Sequence, residues 1–210
     1  MTIPIRRDGP SSSPLTVVLT HGAGAPMDSA FMNHIAAGIA AHVAVVRFEF
    51  PYMHRRRTTG KKGGPGNAMR LLPFYQELIV QIGGPGRLII GGKSMGGRIA
   101  SMIADECGVA GLICLGYPFH PAGKPDRLRT EHLAGLTTPT LILQGERDAL
   151  GRREEVAGYT LSPAIALSWL PDGDHSFIPR KSSGHTAEEN LDRAVARMVE
   201  FVATIEEAGC

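Results

Sequence analysis

The stretch from Arg87 to Arg98 reads R-L-I-I-G-G-K-S-M-G-G-R and constrains the fold more than any other. An apolar run, Leu88 to Ile90, goes straight into Gly91 and Gly92, then Lys93, Ser94 and Met95, then Gly96 and Gly97. Helical spacing begins at once with Ile99, Met102 and Ile103. Ser94 therefore stands at a strand-to-helix corner with a glycine two residues to either side, the pattern G-x-S-x-G. A turn this tight strains the serine backbone and leaves no room for flanking side chains. It lifts the hydroxyl out at the carboxyl end of the strand, over a helix N-terminus where developing negative charge is favoured.

Gly91-Gly92-Lys93-Ser94 also resembles the end of a phosphate-binding loop, G-x-x-x-x-G-K-[ST]. That pattern needs glycine at 87, which is Arg87. Residues 87–90 read as strand, so no loop remains to wrap a phosphate, and nucleotide hydrolysis is set aside.

Apolar runs that read as strands recur on both sides of the corner: Leu15–Thr20, Ala44–Phe50, Val109–Tyr117, Pro139–Gly145 and Ala166–Leu170. Residues 1–14 hold a short edge strand near Ile3–Ile5 or little order. Helices are expected at Ala30–Ala41, Ala68–Ile82, from the corner to Glu106, at Glu131–Leu136, Arg152–Tyr159, and in a long C-terminal segment that turns Leu191, Val195, Met198, Val199 and Phe201 toward the core. Tyr52–Asn67, with Arg55, Arg56, Arg57, Lys61 and Lys62, reads as a long basic loop after Pro51 stops the second strand. The strands are apolar throughout rather than alternating, as a parallel sheet covered on both faces requires. The expected architecture is α/β: one domain over 1–210, with a predominantly parallel sheet of six to seven strands and helices on both faces. The stretch 118–138 is too short for a large cap.

The 210 residues suffice for one sizeable core. Lys plus Arg number 22 against 20 for Asp plus Glu, a balance that gives no reason to expect a nucleic-acid or membrane partner. Cys107, Cys114 and Cys210 show no metal-ligand spacing and read as free thiols. The N-terminal segment has no signal-like apolar core, and no run approaches the ~20 residues of a membrane span, so the expected location is cytoplasmic.

In a sheet of this kind the active site lies at the carboxyl ends of the strands. His21, Ser94, Asp148 and His175 all fall there. Ser94, Asp148 and His175 follow the order nucleophile, acid, base. A serine hydroxyl needs a base, imidazole serves near neutral pH, and a carboxylate holds the imidazole in one tautomer and stabilises its cation. Glu146 competes for the acid role and His185 for the base role, while Asp174 shapes a turn. The oxyanion donors are expected to be the backbone N–H of Met95 and that of Ala23, with Gly24 as the alternative. Tyr117 and Phe119 read as core by default, though they follow a strand and are candidate substrate-binding residues that could line an acyl pocket; Arg55 is a third candidate. The basic loop reads either as a solvated segment or as a flap attracting an anionic substrate. Lys93 reads either as a tolerated position or as help for an anion. No metal or cofactor is required.

The combined motifs T-H-G-A-G-A-P-M-D-S, F-E-F-P-Y-M, G-G-K-S-M-G-G-R, G-Y-P-F-H-P-A-G-K-P, L-I-L-Q-G-E-R-D and D-G-D-H-S-F resemble a small α/β-hydrolase family. That family includes dienelactone-hydrolase-like bacterial proteins and the testis-expressed and KANSL relatives. The resemblance runs from about Leu15 to the end. It implies the α/β-hydrolase fold, with the nucleophile at Ser94, where dienelactone hydrolases proper carry Cys, the acid at Asp148 and the base at His175. Two function classes follow: a serine hydrolase acting on a small ester, thioester or related acyl substrate through an acyl-enzyme, and a non-catalytic binding or scaffold protein on the same fold.

Overall fold

The computed structural model describes residues 3–61 and 63–209; Lys62 and Cys210 lie outside the described residues. In chain order the elements are β1 (Ile5–Asp8), β2 (Thr16–Thr20), α1 (Ala30–Ile39), β3 (Ala44–Phe48), α2 (Pro51–Thr59), α3 (Leu72–Ile82), β4 (Leu88–Lys93), α4 (Met95–Ser101), α5 (Ala104–Cys107), β5 (Gly111–Leu115), β6 (Thr140–Gly145), α6 (Arg153–Val156), β7 (Ile165–Leu170) and α7 (Ala187–Ala208). They build a seven-stranded sheet in the order β1-β3-β2-β4-β5-β6-β7. β1 runs antiparallel to β3 and every other pair is parallel.

Successive strand residues point to opposite faces, so each apolar strand feeds two cores. Val17, Leu19, Ile113 and Leu115 pack with Met32, Ile35 and Ile39 of α1 and with Ala194, Met198 and Val202 of α7. Val18, Ile90, Leu112 and Cys114 pack on the other face with Tyr75, Leu78 and Ile79 of α3 and with Ile99 of α4. α7 turns Ala194, Met198 and Val202 fully inward, while Leu191, Val195, Val199 and Phe201 flank them half-buried. No described helix is long and apolar enough to cross a membrane, and no large cap is present among the described residues.

The chain leaves β2 for β3 on one side, then returns to place β4 on the other. The strand order thus reverses between β2 and β4, which opens a crevice at their carboxyl ends. β4 lies so close to its neighbour that a Cβ at Gly91 would come 1.9 Å from the Ile113 carbonyl oxygen.

Several expectations need correction. The basic segment after Phe50 is not a long loop but begins with α2. Pro51 occupies the first turn, where its missing N–H is harmless, Tyr52 and Met53 bury, and Gly60 ends the helix in the left-handed region at φ 68°. The edge strand is Ile5–Asp8 rather than Ile3–Ile5. The helix expected over Ala68–Ile82 is a 3-10 turn followed by α3, with Pro73 in its first turn. The helix after Ser94 breaks at Met102–Ile103 before α5. Glu131–Ala134 forms a single 3-10 turn and α6 spans only Arg153–Val156. Helices this short are held by what flanks them, not by propensity.

Candidate active site

Ser94 occupies the single residue between β4 and α4, with φ 51° and ψ −112°. This is left-handed backbone that a side chain rarely adopts, held because Ser94 N–H donates to Leu115 O at 2.9 Å while α4 starts at the next residue. The glycines permit it. A Cβ at Gly96 would meet Thr20 Cγ2 at 2.6 Å, and one at Gly97 would meet Gly92 O at 2.7 Å.

The hydroxyl of Ser94 lies 2.8 Å from His175 Nε2, and His175 Nδ1 lies 2.7 Å from Asp148 Oδ2. Asp148 is fully buried. Its Oδ1 accepts from Leu150 N–H at 2.8 Å, and its Oδ2 accepts from the Gln144 amide at 2.9 Å as well as from the imidazole. A carboxylate with this donor set requires Nδ1 to carry the proton, which leaves Nε2 free to accept from Ser94.

The turn carrying His175 is held at several points. Asp174 Oδ1 accepts from Ser176 and Ile178 N–H at 2.7 and 3.0 Å, so Asp174 shapes the turn. Asn190 of α7 donates to Pro171 O and Phe177 O. Arg147 donates to Asp172 O at 2.9 Å, and Glu146 accepts from Asp172 N–H at 2.9 Å while pairing with Arg153. Glu146 is thereby engaged in the turn's scaffold, and the Ser94 hydroxyl meets His175 rather than His185.

The loop after β2 faces the same corner: a Cβ at Gly22 would lie 3.8 Å from Ser94 Cβ. His21 is fully buried, and burial pulls its imidazole below its ordinary pKa. The neutral ring accepts from Phe50 N–H at Nε2 (3.1 Å) and donates from Nδ1 to Gly22 O (2.7 Å). The peptide between Gly22 and Ala23 is trans, so an inward-held Gly22 carbonyl turns the Ala23 N–H the opposite way. α2 braces the rest of the loop. Tyr52 Oη donates to Ala23 O at 3.0 Å, and Arg56 donates to Gly24 O at 3.1 Å. Met95 opens α4, where the N–H has no intrahelical acceptor.

Of the two readings of Tyr117 and Phe119, the structure shows the core one and not the acyl pocket. Tyr117 and Phe119 are fully buried. Their rings pack 4.9 Å apart, Phe119 packs on Tyr159, and Tyr117 Oη donates to Arg129 O. They are core side chains and present no surface to a ligand. Arg55 is exposed on α2 and enters no side-chain hydrogen bond or ion pair among the described residues. Its neighbour Arg57 is structural: it binds Asp28 at 2.7 Å and the buried carboxylate of Glu49 at 2.5 Å, and this pairing holds the Asp28 carboxyl below its ordinary pKa. The reading of the basic stretch as one solvated or anion-collecting segment therefore fails for Arg57, whose charge is paired with Asp28 and Glu49.

Sequence reasoning missed Gln144, Tyr52 and the direction of Lys93. Gln144 had a signal, since it is a polar residue at the end of an otherwise apolar strand, T-L-I-L-Q-G, four residues before Asp148.

Comparison with solved structures gives the same fold. The chain is similar to an α/β serine hydrolase homologue from Coxiella burnetii, at 19% identity and a TM-score of 0.65 over 93% of this chain and 90% of that one. It is similar to a lidless α/β serine hydrolase from Xanthomonas campestris, at 21% identity and 0.62 over 93% and 89%. A thermophilic esterase from Thermogutta terrifontis aligns at 18% identity and 0.68 over 97% and 93%. The family described as "Alpha/beta hydrolase domain" matches residues 13–203. With that match over most of its length, the chain belongs to the alpha/beta hydrolase domain family.

Proposed function

We propose that the protein is a serine hydrolase that cleaves a small carboxylic ester, thioester or related acyl substrate through an acyl-enzyme. The observation that carries this reading is the continuous hydrogen-bonded chain Ser94–His175–Asp148, at 2.8 and 2.7 Å, with the serine in strained left-handed backbone. His175 Nε2 takes the Ser94 proton as Oγ attacks the acyl carbon, and Asp148 stabilises the imidazolium. Met95 N–H and Ala23 N–H receive the oxyanion. His175 then returns its proton to the leaving oxygen or sulfur. Water, deprotonated by the same imidazole, releases the acid and restores Ser94. The lack of a large cap among the described residues supports small or exposed acyl groups over long lipid chains, and Arg55, unpaired among the described residues, supports an anionic substituent on the substrate.

A fluorophosphonate probe tests the reading, together with hydrolysis of p-nitrophenyl acetate. Wild type is expected to be labelled and active, and Ser94→Ala neither. A folded wild type that takes no label and hydrolyses no short ester would return the chain to a binding role.

A further inference from the structure

Lys93 is bonded directly to Ser94, yet its side chain does not follow the nucleophile outward. It crosses to the turn after β7, where Nζ donates to the backbone carbonyl of His175 at 2.6 Å. That carbonyl accepts no other hydrogen bond among the described residues. The ammonium also lies 5.5 Å from the Phe31 ring centroid and 5.8 Å from that of Phe177, within cation–π reach of both. The passage is fitted to it. Gly116, at φ 67°, lies so close that a Cβ there would come 2.8 Å from Nζ and 3.0 Å from His175 O. On the other side, a Cβ at Gly22 would lie 3.5 Å from Lys93 Cγ.

We propose that Lys93 is a positioning residue for the acyl-transfer site: its side chain ties the backbone of His175 to the turn that carries Ser94, and so fixes the distance between nucleophile and base. This rests on the reading of those two residues given above. One residue then serves both partners, through its peptide bond to Ser94 and through Nζ to His175. Its position inside the motif, between Gly92 and Ser94, sets the anchor of the ammonium one peptide bond from the nucleophile. A charged donor suits the task because a charge-assisted hydrogen bond is roughly twice as strong as a neutral one.

The groups facing the ammonium are Asp148 after β6, Asp174 and His175 after β7, Phe31 of α1, Gly116 after β5 and Gly22 after β2. Burial pulls the Lys93 pKa down to about 8, against the opposing pull of the Asp148 and Asp174 carboxylates. The tie therefore carries its charge at neutral pH and loses it as pH rises through about 8.

The test compares wild type, Lys93→Met and Lys93→Gln. For each, kcat and KM for p-nitrophenyl acetate are measured from pH 6 to 9.5, with circular dichroism to confirm folding and fluorophosphonate labelling of wild type as the control. In wild type, kcat is expected to fall along an alkaline limb near pH 8. Lys93→Met is expected to lose about 10-fold in kcat at pH 7, with KM within about twofold and no limb at pH 8. Lys93→Gln, which keeps a neutral donor, is expected to lie between the two and also to lack the limb. A residue that only filled space would leave the pH profile unmoved. If wild type is active and both variants match it, or if the limb persists in both, the positioning role is wrong while the hydrolase reading stands. If wild type neither labels nor turns over, both fall together. Should Lys93→Met fail to fold, the Gln variant alone decides.

Discussion

Gln144 and His175 donate to the same oxygen of Asp148, Oδ2, at 2.9 and 2.7 Å. The other end of the Gln144 side chain is committed too. Its Oε1 accepts from Tyr117 N–H at 2.7 Å, and its Nε2 reaches Tyr117 O and Gly151 O at 3.2 Å. One amide thus aims the carboxylate and ties the turn after β5 to the turn after β6. Gln144→Leu should lower stability by about 2–3 kcal/mol, because it strands buried polar groups. It should also lower kcat roughly 10-fold. Asp148→Asn should lower kcat by about 10³- to 10⁴-fold, since the asparagine amide favours the wrong imidazole tautomer. Urea unfolding and ester kinetics on the two variants check the ranking, and wild-type behaviour of Gln144→Leu in both would refute it.

The strain at Ser94 separates activity from stability. Ser94→Ala keeps a Cβ at φ 51° and so keeps the strain, whereas Ser94→Gly removes it. Both should be inactive. The glycine variant should melt higher than the alanine variant by a few degrees, corresponding to about 1 kcal/mol. Equal melting temperatures would mean that the turn is not strained.

Arg57 and Arg55 should behave oppositely although both lie in one run of three arginines. Glu49 is 1% exposed and depends on Arg57 for its charge partner. Arg57 itself is 41% exposed, so solvent screens part of the effect. Arg57→Met should destabilise the fold by about 1–3 kcal/mol. Arg55→Ser should stay within ~0.5 kcal/mol of wild type and weaken turnover of anionic esters more than neutral ones. Equal effects of Arg55→Ser on both esters would remove Arg55 from substrate selection.

Tyr75 inserts its hydroxyl between β2 and β4. Oη lies 2.9 Å from Val18 O and 3.0 Å from Gly91 O, and it accepts from Gly91 N–H at 3.0 Å. The phenol is wholly buried, which raises its pKa far above the ordinary value. Tyr75→Phe should therefore lower stability by about 2–3 kcal/mol, with kcat of the surviving folded protein little changed. A change below 0.5 kcal/mol would show that the strands pair as well without it.

The lowered Lys93 pKa also predicts a stability signature. From pH 8 to 10.5 the folded chain has released this proton and the unfolded chain has not. The unfolded state binds more protons, so the contribution of Lys93 to stability rises with pH across that window. The stability difference, wild type minus Lys93→Met, should grow by about 1–2 kcal/mol between pH 7.5 and 9.5. A constant difference in denaturant midpoint would show that the group does not titrate there.

The corner at Ser94 was legible because strain and crowding demand particular residues, and glycines at 92, 96 and 97 announce them. Asp148 and His175 were legible because each directly follows an apolar strand. α2 was hidden for a physical reason. Only Tyr52 and Met53 bury, so the segment shows no helical period, and its arginines look like solvated loop until their partners Glu49, Asp28 and Gly24 are seen in space. Tyr117 and Phe119 follow a strand, as pocket residues do. Whether an aromatic side chain turns inward there depends on Arg129 and Tyr159, which arrive from later in the chain. The reach of Lys93 was invisible because its acceptor is a backbone carbonyl, and a main-chain atom leaves no trace in residue identity.

β1 has a consequence for anyone who trims this protein. Only four residues long, it is mostly exposed and carries Arg6 and Arg7, features that discourage a second chain from adding to the sheet. It also brings Asp8 within 2.8 Å of Arg47, a side chain only 2% exposed. A chain begun at Leu15 would open the flank of β3 to intermolecular pairing and leave a buried cation without its carboxylate. Such a protein should retain Ser94, Asp148 and His175 and still be lost to aggregation during expression.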